Sequence, residues 1–204
     1  MSGVEGDDDS EESALANADS PAARLLENFH PIVAGRAYRA AQVRPDTLAR
    51  YQREDGIRTV INLRGANAGS GWYDAEATAC RELGLKLVDV RLSASALPSP
   101  EELLKLYEAL RTADEPILMH CKSGADRTGM AAGLWRRIQL GENAEAAGVE
   151  LSVLYGHFRN VHPEMFEMVK MFVSDRAWIS GRYPELRAAY EQSRAARKKP
   201  AEDD

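Results

Sequence analysis

Cysteine is scarce in this chain: 204 residues hold two, Cys80 and Cys121. Two thiols cannot build the multi-bridge framework that staples small secreted domains, so a reducing, cytoplasmic setting is the expectation. Long apolar runs are missing too. None approaches the roughly 20 residues that cross a bilayer, so no integral membrane segment is expected. The opening residues, MSGVEGDDDSEE, lack the basic start and apolar centre of a secretion signal. Histidine is sparse, and His157 and His162 have no cysteine or acid at a metal-ligand spacing. No metal and no cofactor are expected. Lysine and arginine are absent from residues 1–20, which carry seven acids (Glu5, Asp7, Asp8, Asp9, Glu11, Glu12 and Asp19). Setting these aside moves the formal net charge from −6 to +1. The remainder is near neutral and has no basic nucleic-acid footprint. Residues 1–20 read as a disordered, solubilising acidic tail.

What is present is a strand–helix alternation. Residues 21–28 read as a short helix or lead-in, and residues 30–39 as two short strands around a Gly-Arg turn. Pro45 suits the first turn of a helix that Gly56 ends. Ile57–Leu63 is a β-branched run, followed by a glycine-rich loop from Arg64 to Gly71. Trp72–Leu83 reads as a helix, with Gly84 as its stop, and Leu85–Leu92 as the next strand. Ser99, Pro100 and Glu102 carry the signals of a capping box with proline in the first turn. Leu103, Leu104, Leu106, Tyr107 and Leu110 give that helix a buried face. Ile117–Met119 is a further strand, and Arg127–Leu140 a helix that Gly141 breaks. Asn143 caps another. Met165, Phe166, Met168, Val169, Phe172 and Val173 read as core, and Pro184–Lys199 as a last helix with cations at its C-terminal end. The expected fold is α/β, with a central four- or five-stranded, mostly parallel sheet flanked by helices on both faces. The expected organisation is the tail 1–20, one domain over 21–180, and a C-terminal helix and tail over 181–204. Functional loops of such sheets gather at the C-terminal strand ends, which puts Cys121, Arg64 and the loop after Leu92 on one rim.

The informative stretch is His120 to Gly129, HCKSGADRTG, between the strand and the helix. A helix N-terminus carries unsatisfied N–H donors and about half a positive charge, so it suits an oxyanion. Arg127 adds a planar fork able to grip two phosphate oxygens. The same field acts on Cys121. A free thiol, with a pKa of about 8.5, is only a few per cent ionised at neutral pH. Helix N-termini and nearby cations make such thiols mostly thiolate, and a thiolate beside a phosphate is set for in-line attack on phosphorus.

The HC-x5-R-T-G pattern in this setting resembles the cysteine-dependent phosphatase superfamily, the protein tyrosine and dual-specificity phosphatases. Over about residues 36–140 the chain is similar to small bacterial members: Tyr38-Arg39-Ala40-Ala41-Gln42, then VINLRG, a helix containing Glu76, and HCKSGADRTG. The resemblance implies a phosphate loop of Lys122, Ser123, Gly124 and Ala125, with Thr128 donating to the departing thiolate and Arg64 adding charge at the rim. It makes His120 a donor that shapes the loop. Gly124 permits a backbone angle that other residues resist, and Gly129 lets the helix approach its neighbours.

The general acid is open. Many relatives place an aspartate on a loop roughly thirty residues before the cysteine, but Ser93–Leu97 has no acid and Asp89 falls inside the expected strand. Asp126 resembles the loop aspartate of the myotubularin lipid phosphatases and of bacterial phosphatases ending KDRTG, with an ion pair to Arg127 as its alternative role. Lys122 resembles the lysine after the cysteine in phosphoinositide phosphatases, whose second lysine is Ala125 here. The expected activity is phosphomonoester hydrolysis through a phosphocysteine on phosphotyrosine-type protein substrates. A lipid or inositol phosphate is the same-chemistry alternative, and a catalytically weak phospho-binding module the alternative of another class. A sulfurtransferase shares the strand–cysteine–helix plan, but the Arg-Thr-Gly spacing argues against it. Cys80 reads as helix core, with a protective disulfide to Cys121 as the alternative.

Overall fold

The computed structural model describes residues 27–198. The acidic tail, nearly all of the lead-in and the residues after 198 lie outside the described residues. The elements are β1 (His30–Val33), β2 (Ala37–Ala40), α1 (Pro45–Asp55), β3 (Thr59–Asn62), α2 (Gly71–Glu82), β4 (Lys86–Asp89), α3 (Pro100–Thr112), β5 (Ile117–His120), α4 (Asp126–Gln139), α5 (Ala144–Ala147), α6 (Pro163–Met171), α7 (Arg176–Gly181) and α8 (Tyr183–Lys198). Two short 3-10 turns, Gly148–Glu150 and Val153–Tyr155, lie between α5 and α6; the sequence pattern did not assign them.

The strands form one five-stranded sheet in the order β1-β2-β5-β3-β4, antiparallel at the β1 edge and parallel elsewhere. Because successive side chains alternate faces, each buried strand feeds two cores. Ile61, Ile117 and Met119 enter the larger one with α3, α4, α6, α7 and α8. Val60 and Leu118 enter the smaller one with Leu48 and Tyr51 of α1 and Ala79 and Cys80 of α2. Helices thus cover both faces, as expected for an α/β sheet.

Boundaries moved by one to three residues, for local reasons. The β-branched runs were expected as strands over Ile57–Leu63 and Leu85–Leu92; the regular ladders are shorter. Their ends still pair, with Leu63 N donating to His120 O (2.9 Å), Val90 N to Asn62 O (2.9 Å) and Leu92 N to Leu63 O (3.2 Å). The capping box forms as read: Glu102 N donates to Ser99 Oγ (3.1 Å), and Ser99 N to Glu102 Oε2 (2.7 Å). Such a box contributes about 1 kcal/mol to helix stability. Met165, Met168, Val169 and Phe172 are core, whereas Val173 is exposed.

The C-terminal helix α8 is fastened to the loop that precedes α3. Tyr183, itself core, donates its hydroxyl to Pro98 O (2.6 Å), Arg187 Nε to Leu97 O (3.4 Å), and Arg194 Nη1 to Ser95 O (2.7 Å). Arg194 also pairs with the buried carboxylate of Glu164 on α6.

Candidate active site

The sheet's order reverses at β5. From β3 the chain steps outward to β4, then returns through α3 to place β5 between β2 and β3. Ligand crevices form at such switch points, beyond the strands' C-terminal ends. Cys121 follows β5 directly and is buried. The loop Lys122–Ala125 then delivers the chain to α4, whose first turn holds Asp126, Arg127 and Thr128. Lys122, Ser123, Ala125, Asp126 and Arg127 line one cleft of about 720 Å³, closed on its far side by Asn28, Leu154, Tyr155 and Gly156.

The loop is held from four directions. Gly124 has φ +74°, and a Cβ there would sit 2.7 Å from Ala41 N and 2.8 Å from Ala40 O. The loop therefore lies directly on the end of β2, and only glycine fits. Below it, Arg39 reaches up from β2. Its side chain is fully buried, donating Nη2 to Gly124 O (2.8 Å) and Nη1 to Glu150 O (2.7 Å) and Oε2 (2.8 Å), and it stacks 3.9 Å from the Tyr155 ring centre. Burial pulls the Arg39 pKa below the ordinary arginine value, and Glu150 opposes that shift. From the side, Asn28 Nδ2 donates to both Ser123 O and Tyr155 O, each at 3.0 Å. Behind it, His120 Nε2 lies 2.6 Å from Glu76 Oε1 with both side chains fully buried, and His120 Nδ1 lies 3.4 Å from Cys121 O. Gln42 Nε2 donates to Glu76 Oε2 (2.8 Å), and Gln42 N to Lys122 O (3.1 Å). Gly129 makes room for a neighbour as expected: a Cβ there would meet Glu150 O at 2.7 Å.

Several sequence expectations change. Arg64 does not line the cleft. It donates to Gln42 Oε1 (2.8 Å) and stacks 3.4 Å from the Trp72 ring centre, because α2 begins beside the loop that follows β3. Thr128 is buried, and its hydroxyl has no hydrogen-bond partner among the described residues. Asp89 is tied into the sheet end, accepting from Asn62 Nδ2 (2.8 Å) and from the Tyr73 hydroxyl (2.8 Å). That bond to Asp89, then burial, push the Tyr73 phenol up to about 12. Asp126 bonds not to Arg127 but to His157, whose Nδ1 is 2.7 Å from Oδ1. Arg127 reaches the rim instead, donating Nη1 to Leu92 O at 3.5 Å. Ser93–Leu97 brings no acid to the cleft; Ser93 and Ser95 bond to each other there. Cys80 is core of the smaller cluster, Cys121 belongs to the larger, and both thiols are free. Burial above all pushes the Cys80 thiol up to about 12.

Arg39, Glu150 and His157 were not found from sequence. The signal for Arg39 was its place in a strand whose neighbours Tyr38 and Ala40 are apolar. For His157 it was the His157–His162 pair, weighed only as metal ligands.

The parts are those of an anion cradle with a sulfur nucleophile: a cysteine at the strand end, a loop leading into a helix N-terminus, and a guanidinium in the helix's first turn. Parallel sheet, cysteine at the switch point and arginine in the following first turn define a cysteine-dependent phosphatase. Comparison with solved structures agrees on the fold. TpbA of P. aeruginosa, crystallised with phosphotyrosine, superposes with a TM-score of 0.59 at 21% identity, over 76% of this chain and 91% of that one. The catalytic core of the PP-IP phosphatase SIW14 from S. cerevisiae gives 0.60 at 23% identity, over 78% and 93%. In sequence, tyrosine-protein phosphatase cdc-14 of Caenorhabditis elegans is 29% identical over 100 residues, 49% of this chain but 13% of that protein's length. Residues 27–176 match the family described as DSP-PTPase phosphatase fused to NAD+ kinase, and the chain belongs to that family.

Proposed function

We propose that the protein hydrolyses phosphomonoesters through a phosphocysteine, with phosphotyrosine-type protein side chains as substrates. The observation that carries this is the run from β5 into α4: Cys121 follows the strand directly, the Lys122–Ala125 loop leads into the helix N-terminus, and Arg127 of its first turn lines the cleft with that loop. The phosphoryl group sits in the Lys122–Ala125 loop, gripped by Arg127. The Cys121 thiolate forms the S–P bond as the P–O bond to the leaving group breaks. Asp126, on the cleft wall, gives its proton to that oxygen. Water then attacks phosphorus, the S–P electron pair returns to sulfur, and Asp126 takes a proton from the water. Asp89 is the weaker acid candidate because both its oxygens already accept hydrogen bonds. Two free thiols suit a reducing, cytoplasmic setting.

An inositol or lipid phosphate is the second reading. The cleft's far wall favours it, for Leu154 there is 84% exposed and continues into exposed Val153, Phe158 and Val161. Such a wall suits an apolar body attached to the phosphate.

Steady-state rates on a phosphotyrosine peptide, a phosphoserine peptide and phosphoinositides decide between the two. Phosphotyrosine is expected to lead. In every case Cys121→Ser abolishes turnover, and wild-type rates in that variant would end the proposal. Peptide binding without turnover by the wild type would make the protein a phospho-binding module.

A further inference from the structure

The imidazole of His157 makes one polar contact. Its ring is completely buried, Nδ1 lies 2.7 Å from Asp126 Oδ1, and Nε2 has no partner among the described residues. Buried polar side chains normally satisfy their hydrogen-bonding atoms, so a histidine committed to a single carboxylate is specialised toward it. The segment is fixed on both sides of the ring: His157 N donates to Ser152 O (3.1 Å), and a Cβ on Gly156 would touch Ala125 of the phosphate loop at 3.7 Å. The carboxylate it holds is the one on the cleft wall. The second oxygen, Oδ2, is 3.9 Å from His162 Nε2, beyond hydrogen-bond reach, on a side chain that is 28% exposed.

We infer that His157 is the positioning residue of the general acid: its Nδ1–H holds Oδ1 of Asp126, leaving Oδ2 to carry the proton to the leaving group. The inference rests on the reading of Asp126 as the acid. A carboxyl group free to turn would present either oxygen, or neither, to a substrate, and misplacement by about 1 Å can cost a hundredfold in rate. With Nδ1 as the donor, one hydrogen bond serves both states of the acid. It is accepted by the carbonyl oxygen of the protonated form and by the carboxylate left after proton transfer. The balance of the step is unchanged: S–P forms, P–O breaks, and the proton moves from Oδ2 to the leaving oxygen. In the second half it returns to Oδ2 from water.

The test compares two aryl phosphates. Phenyl phosphate has a leaving group that needs a proton; 2,4-dinitrophenyl phosphate does not. For His157→Ala, kcat on phenyl phosphate is expected to fall at least about tenfold, a part of the 10²–10⁴ a general acid supplies. KM is expected to stay within about twofold and the dinitrophenyl rate within about threefold of wild type. Two isosteres make the result independent of a folding defect in the alanine variant. The amide nitrogen of asparagine overlays Nδ1 and that of glutamine overlays Nε2, so His157→Asn restores the phenyl phosphate rate and His157→Gln does not. Equal rates for the two isosteres, or an equal loss on both substrates, would overturn the inference. Asp126→Asn is measured alongside. If it selectively loses phenyl phosphate while the His157 variants show no selectivity, only the role of His157 falls. If Asp126→Asn shows no selectivity, Asp126 is not the acid and the inference falls with it.

Discussion

Replacing Arg39 with methionine tests whether the phosphate loop and the stability of the domain depend on the same side chain. The side chain is fully buried, and the change preserves most of its bulk while deleting the five N–H donors of the guanidinium head. Left behind are Gly124 O, Glu150 O and the Glu150 carboxylate, a residue 3% exposed. Arg136 Nη1, 3.4 Å from Glu150 Oε1, compensates only in part. Removing one partner of a buried ion pair costs about 3–5 kcal/mol, about a fifth or more of the roughly 5–15 kcal/mol that holds a domain together. At about 2–4 °C per kcal/mol for a domain of this size, Tm falls by about 6–20 °C. Because Gly124 O loses its donor, the aryl phosphatase kcat/KM falls as well, in protein that is still folded at the assay temperature. Adding Glu150→Gln removes the stranded charge and is expected to recover about half of the lost stability. Urea titration of the three proteins, with activity measured below each transition, provides the numbers. A loss under about 1 kcal/mol for Arg39→Met, or a double variant no more stable than the single one, would refute the argument.

Gly124→Ala combines a left-handed backbone with a Cβ 2.7 Å from Ala41 N, so the loop has to shift. We expect kcat/KM to fall by at least about tenfold with a modest drop in Tm, because the damage is confined to the loop; a wild-type kcat/KM would show that the contact with β2 is dispensable. Cys80, with its thiol pushed up to about 12 from an ordinary value of 9.0, is expected to resist iodoacetamide at pH 8 in native protein and to react after unfolding. The same shift has a stability sign. Below pH 9 the thiol is protonated in both states and contributes nothing. Between about 9 and 12 only the unfolded chain releases the proton, so stability falls as pH rises. Cys80→Ser or Cys80→Ala would flatten that limb of a Tm-against-pH curve, and an unchanged limb would assign it to other groups such as Tyr73.

The fold was legible where a local signal and the global arrangement agreed. Ser99-Pro100-Glu101-Glu102 carries its helix start in four residues, and the β-branched run before Leu63 carries its strand. HCKSGADRTG was legible because spacing alone puts a sulfur and a guanidinium at one helix N-terminus. The supports of that loop were not legible, because each is a contact between distant parts of the chain. Arg39 meets Glu150 across 111 residues, and His157 meets Asp126 across 31. No periodicity records such pairs. Arg64 illustrates the opposite error. A strand-end position placed it on the rim, but its guanidinium stacks on the ring of Trp72, the second residue of the next helix, and does not line the cleft.

The three hydrogen bonds from α8 to residues 95–98 bear on how far the folded unit extends. The family match stops at residue 176, yet Tyr183, Arg187 and Arg194 all lie beyond it. Their targets lie a few residues past Leu92, whose carbonyl receives Arg127. A chain cut at the edge of that match would keep every residue of the phosphate loop and lose the moorings of the loop that precedes α3. The folded unit therefore extends past the segment that matches the family.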